Sequence, residues 1–168
     1  MRKKHSKMTA RQLTYAALIA AVYVVLTYLT NMLGLANGVI QCRLSEALCI
    51  LPVFTVSAVP GLFIGCLISN MLCGGIVLDV IFGSIATLIG AAGTYFLSKK
   101  ISNIYVLTLP AVIANTVIVS LVLKFAYGFN GAYLFFVATV GAGEIISCTF
   151  LGALLCSCLK AKKNIVFK

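Results

Sequence analysis

Acidic residues are nearly absent from this sequence: three Asp and Glu stand among 168 residues, against thirteen Lys and Arg. Charged residues make up 10% of the chain, where a soluble domain usually carries about 25%. That is too little polar surface to coat a globule. Histidine occurs once, at His5 in a basic tail, which excludes a histidine-based triad and an HExxH zinc site. The seven cysteines (Cys42, Cys49, Cys66, Cys73, Cys148, Cys156, Cys158) form no CxxC pair and no zinc-ligand spacing. Most fall inside apolar runs, where a thiol packs as a small hydrophobe. No metal or cofactor is expected. There is no P-loop either, so uphill transport would draw its energy from an ion or from partner subunits. The sequence has no low-complexity segment, no internal repeat and no loop long enough for a soluble domain.

What is present is hydrocarbon. Hydrophobic residues make up 62% of the chain, the mean hydropathy is +1.12, and several apolar runs approach or exceed the roughly 17–25 residues that span a bilayer. This is the composition of an integral membrane protein. The first run is too long for a signal-peptide core and is expected to stay as a spanning helix. Apolar runs and their Gly and Pro breaks predict six helices, at 12–33, about 44–57, 58–73, 78–98, 104–125 and 132–159. The breaks are Gly34 with the Ala36-Asn37-Gly38 turn, Pro60-Gly61, Gly74-Gly75, and the turn from Gly128 to Gly131. The second and third are short, and one kinked hairpin lying partly in the bilayer is the alternative reading.

The basic residues fix the orientation. Arg2, Lys3, Lys4, Lys7 and Arg11 precede the first run, Lys99 and Lys100 share one loop, and Lys160, Lys162, Lys163 and Lys168 close the chain. With six spans these eleven fall on one side, leaving only Arg43 and Lys124 elsewhere. The expected fold is therefore all-α: a six-helix membrane bundle over 12–159, with basic cytoplasmic tails at 1–11 and 160–168. Clusters placed beside membrane segments do not make a nucleic-acid tail.

Five charges remain near or inside the apolar runs: Arg43, Glu46, Asp79, Lys124 and Glu144. A charge at the bilayer centre costs roughly 2.5–3.5 kcal/mol on insertion scales, so such residues usually face a cavity or a partner. On the six-span topology every acid lies in the outer half, and three acids against two bases leave one carboxylate over. Arg43 and Glu46 either pair with each other at i,i+3, with Ser45 as a cap for the helix, or line an outward-facing pocket with Asp79 and Glu144. Gln41, Asn70 and Asn115 fall in register with that pocket, and interhelical hydrogen bonding is their other reading. Tyr127, Phe129 and Tyr133 make either an interfacial belt or a stacking lid. Ala16/Ala20 and Ala17/Ala21 are small-xxx-small pairs that let a helix approach closely, inside the bundle or from outside it. The small-residue face from Gly83 to Gly93 is expected to pack within the bundle.

The stretches IQCRLSEALCILPVF (40–54), PGLFIGCLISN (60–70) and LDVIFGSIATLIGA (78–91) resemble the QueT family, over about residues 12–157. Those proteins are substrate-binding S-components of energy-coupling factor (ECF) transporters for queuosine precursors. Cys42 departs from the pattern, standing where a bulkier aromatic is expected. The resemblance implies a T-component and two cytoplasmic ATPases as partners in a bacterial plasma membrane, with Ala16, Ala17, Ala20 and Ala21 facing the T-component. It also implies capture at the outer face and delivery by toppling of the whole subunit. The implied ligand is a 7-deazaguanine such as preQ1, preQ0 or queuine, held by Glu46, Arg43, Gln41, Asn70, Asp79, Asn115, Glu144 and Tyr133. Thiamine or another cationic vitamin, or a stand-alone proton-coupled transporter with Glu144 or Asp79 as relay, are the alternatives.

Overall fold

The structure, a computed structural model, describes residues 8–35, 41–128 and 131–161. The basic residues at 2–7, the Ala36-Asn37-Gly38 turn, Phe129 and the lysines at 162, 163 and 168 lie outside the described residues. Six helices account for the secondary structure, and among the described residues there is no strand. They are α1 (Ala10–Met32), α2 (Leu44–Val53), α3 (Ala58–Leu72), α4 (Val77–Leu97), α5 (Ile104–Ala126) and α6 (Tyr133–Ala161). Each begins and ends within a few residues of the sequence expectation. Gly34, with φ of 72°, closes α1, where a left-handed residue turns the chain out of the helix.

Three stretches depart from plain α-helix. All ten residues of α2 are 3-10 helix, far beyond the usual three or four. The end of α5, Val122–Ala126, and the middle of α6, Ile145–Leu151, are π-helical. Four helices, α1, α4, α5 and α6, are long and apolar enough to cross a membrane. At about 2.0 Å rise per residue α2 is roughly 20 Å long, and α3 at about 1.5 Å is little longer. Each falls short of a hydrocarbon core of about 30 Å.

Close backbone contacts assemble the bundle. A Cβ added at Gly61 would sit 2.7 Å from the Ala16 carbonyl, and one at Gly65 would sit 2.8 Å from Cβ of Tyr23. The Gly61-x-x-x-Gly65 stripe of α3 thus meets the Ala16/Ala20 stripe of α1, and Ala16 and Ala20 are buried there. Between α4 and α5, Gly90 and Gly93 abut Ala111 and Pro110, as the small-residue face predicted. The 3-10 helix sits in the middle, touching α1, α3, α4, α5 and α6. From Ser45 to Pro52 it is buried apart from the half-buried Ala47. The outside carries exposed Leu, Ile, Val and Phe side chains on every long helix, as a lipid-facing surface requires.

Candidate functional site

A 3-10 helix has three residues per turn, so side chains at i and i+3 eclipse. Glu46 and Cys49 therefore stack on one edge of α2, and Arg43 precedes them as its extended N-cap. Glu46 accepts hydrogen bonds from its own helix and from two others. Tyr23 of α1 donates its hydroxyl to Oε1. Cys49 Sγ and Asn115 Nδ2 of α5 donate to Oε2 at 3.1 and 3.0 Å. The same Asn115 nitrogen reaches Glu144 Oε2 at 3.3 Å, so its two hydrogens bridge two carboxylates. Glu46 is 2% exposed and Glu144 8%. A carboxylate so buried is costly unless it is hydrogen-bonded, which these donors ensure.

Arg43 is 9% exposed, and its Nη1 donates to Asn70 Oδ1 at 3.1 Å. Asn70 in turn donates to Cys66 Sγ at 3.5 Å, and Thr87 reaches the same sulfur at 3.3 Å. Gly83 leaves room beside this group: a Cβ there would sit 3.0 Å from Asn70 Nδ2 and 3.6 Å from Asp79 Oδ1. Asp79, 7% exposed, accepts from the Tyr127 hydroxyl at 3.1 Å, and that oxygen accepts from the Ile76 amide at 3.4 Å. Burial first, then the neighbouring Asp79 carboxylate, pushes the Tyr127 phenol up, so it remains a donor at neutral pH. A polar seam crosses the bundle: Asp79, Asn70 and Arg43 on one side, Glu46, Asn115 and Glu144 on the other.

Six of the eight expected ligand residues belong to this seam. Gln41 borders it: its backbone carbonyl lies so close to α6 that a Cβ at Gly143 would sit 1.8 Å away. Tyr133 is set apart. Its hydroxyl donates to the Val117 carbonyl at 3.4 Å, and Val117 is exposed, two positions and about 200° around α5 from the buried Asn115. Lys124 also stands outside the seam, its Nζ 5.7 Å from the Phe125 ring centroid. The buried charges are thus three acids and one base, a larger surplus than the sequence count implies. Ser45 does not cap α2. Its hydroxyl accepts from Thr27 of α1 at 2.7 Å, and Thr30 of α1 accepts from the Leu44 amide instead. Cys42 lies 3.2 Å from the Ser147 hydroxyl. Of the two alanine pairs on α1, Ala17 and Ala21 are exposed while Ala16 and Ala20 are occupied within the chain.

Tyr23 and Gly143 were not singled out from the sequence. The signal for Tyr23 is a tyrosine midway along an apolar helix, where no interfacial belt reaches and the hydroxyl needs a buried partner. Nothing local marks Gly143, since its constraint comes from a segment a hundred residues away. Among the described residues no group of three or more His, Cys, Asp and Glu is arranged to hold a metal ion.

Comparison with known proteins adds three findings. The family model described as QueT transporter matches residues 13–161. A protein named Queuosine precursor transporter QueT, from Lactococcus lactis subsp. cremoris, is 40% identical over 73 residues. That alignment covers 44% of this chain and 43% of the relative, less than half of either. No solved structure matches the chain.

Proposed function

Because the chain belongs to the QueT transporter family, a family of membrane transporters and not of enzymes, we propose that it is the substrate-binding S-component of an ECF-type importer. Its ligand on this reading is a 7-deazaguanine queuosine precursor, captured at the outer face. One observation carries the proposal: two buried carboxylates, Glu46 and Glu144, bridged by one amide. A deazaguanine presents adjacent N–H donors that one carboxylate accepts together, its carbonyl wants a donor such as Arg43 or an Asn, and an aminomethyl group suits a second acid. An anionic vitamin would find too few bases.

Six crossings, with both ends in the cytoplasm of a bacterial cell, agree with the eleven basic residues on one side. Labelling tests this on a cysteine-free background: Cys73 restored alone reacts with an impermeant reagent from outside, and Ser102→Cys does not. The reverse pattern overturns the orientation. A T-component and two ATPases complete the importer. Ala17 and Ala21 are the small-residue pair left open for the T-component.

The Glu46–Asn115–Glu144 bridge also suits a stand-alone proton-coupled transporter. Two measurements separate the readings. Small molecules released from the purified protein, identified by mass spectrometry, include a 7-deazaguanine on the first. Pull-down recovers a T-component and ATPases only on the first. A thiamine-like cation in the released fraction refutes the ligand assignment alone.

A further inference from the structure

On the outer wall of the bundle α4 and α5 part to leave a groove of about 550 Å³. Phe82 and Ile85 of α4 and Leu121 and Phe125 of α5 line it, and Val122, 5% exposed, lies at its floor. Every lining side chain is hydrocarbon. The groove coincides with the π-helical turn Val122–Ala126, where the wider turn carries α5 out of regular ridge-and-groove packing. It extends from Leu78 to Ile85 along α4, roughly 10 Å parallel to the helix axes.

Lys124, half-buried, neighbours the groove: its ammonium lies 5.7 Å from the ring centroid of the lining residue Phe125 and not beside a carboxylate. We infer that this groove seats one acyl chain of an anionic phospholipid, with the headgroup phosphate on Lys124. Three features choose that occupant. The lining offers no hydrogen bond, so a water-soluble ligand gains nothing there. The walls belong to two of the four long apolar helices and run along the direction in which lipid chains lie. Large side chains make those walls, whereas a second helix approaches closely over small ones. A flexible chain fits such walls where a helix does not.

Hydrocarbon leaving the bilayer for a protein groove gains little, because lipid tails are as apolar as the groove. Selection therefore happens at the head. One lysine near a membrane surface favours an anionic over a zwitterionic lipid by about fivefold. The lysine lies at the end of α5, from where a long stem can cover apolar surface while the ammonium stays with the headgroups.

Native mass spectrometry of the full chain in detergent tests the assignment, with dioleoyl phosphatidylglycerol, dioleoyl phosphatidylcholine or inorganic phosphate added. The expected result is one retained phosphatidylglycerol, preferred over phosphatidylcholine by about fivefold, and no phosphate adduct. Lys124→Gln brings that ratio to near one while keeping a single lipid, and Ile85→Trp, which fills the groove, abolishes the adduct. Ile118 also lines the groove, so Ile118→Phe serves as a second groove-filling variant, and thermal unfolding confirms that each variant is folded. Equal retention of both lipids by the wild type overturns the proposal, as does an adduct that survives both groove-filling variants. A dimer that turns monomeric in Ile85→Trp also overturns it, and assigns the groove to a second copy of the chain.

Discussion

Helices α1 and α2 are neighbours in the chain and opposites in the bundle. The first is 23 residues of α-helix with Leu13, Leu18, Val25 and Met32 turned outward. The second is ten residues of 3-10 helix carrying Glu46 and headed by Arg43, and it is buried almost throughout. In water the apolar helix would be the core and the charged one the surface. In a bilayer the preference inverts, because a lipid-facing helix loses nothing by exposing leucine while a charge must find partners inside. Its charges, and not a lower overall hydropathy, therefore mark α2 as the centre, since it is otherwise no less apolar than α1.

The contrast breaks most severely where the chain leading into α2 crosses α6. Gly143→Val puts side-chain carbon onto the Gln41 carbonyl, and we expect a loss of about 3 kcal/mol, the upper part of the overpacking range. Thermal unfolding in detergent measures it. An unchanged midpoint would mean that residues 41 and 42 do not run across α6.

Next comes the carboxylate itself. Glu46→Gln keeps the size of the side chain but sets a donor against Asn115 and against ligand N–H groups. Affinity for a 7-deazaguanine should fall by roughly 1.5–3 kcal/mol, or about 10- to 100-fold, by calorimetry. Wild-type affinity together with lower stability of the ligand-free protein would make the seam a packing device. Arg43→Gln should weaken binding as well, by stripping a donor from Asn70.

A third test splits α1 against itself. Leucine at Ala16 and Ala20 should cost about 1–3 kcal/mol of stability, since Gly61 and Gly65 leave no room. Leucine at Ala17 and Ala21 should change stability by less than about 0.5 kcal/mol while lowering uptake and T-component association. Wild-type uptake in the second pair removes α1 as the docking face.

Among losses of a buried contact, the smallest is expected at Asp79, buried like α2 although it lies on a long helix like α1. Tyr127→Phe removes one donor from it and should cost about 0.5–1.5 kcal/mol. No measurable change would show that the Asp79 end is held by other contacts.

Helix limits were legible because Gly34, Pro60, Gly74 and Gly128 are local signals, read without knowing what lies opposite. The buried acids were legible for a related reason: in so apolar a chain each charge stands out. What the sequence hid is non-local. The pairing of Gly61 and Gly65 with Ala16 and Ala20 is invisible until α1 and α3 are side by side, and the same alanines read equally well as an outer docking face. Tyr133 looked like a neighbour of the pocket because it opens α6 near the outer end. Only the rotation of α5 puts Val117, and Tyr133 with it, on the far side from Asn115. The 3-10 winding of α2 and the two π turns leave no periodic trace in segments hydrophobic on all sides.

The central place of α2 also has a consequence for synthesis. Glu46 precedes its partner Asn115 by sixty-nine residues, an interval of about 3 to 14 seconds at ordinary translation rates of about 5–20 residues per second. During that time a segment bearing an arginine and a glutamate emerges with α1 made and α5 and α6 not yet in existence. It is too short to hold itself across the bilayer, so it must wait at the insertion machinery or at the membrane surface. Maturation of the bundle is therefore late and concerted, and a chain truncated after α4 would keep the Tyr23 and Cys49 donors of Glu46 but lack the Asn115 bridge that completes its shell.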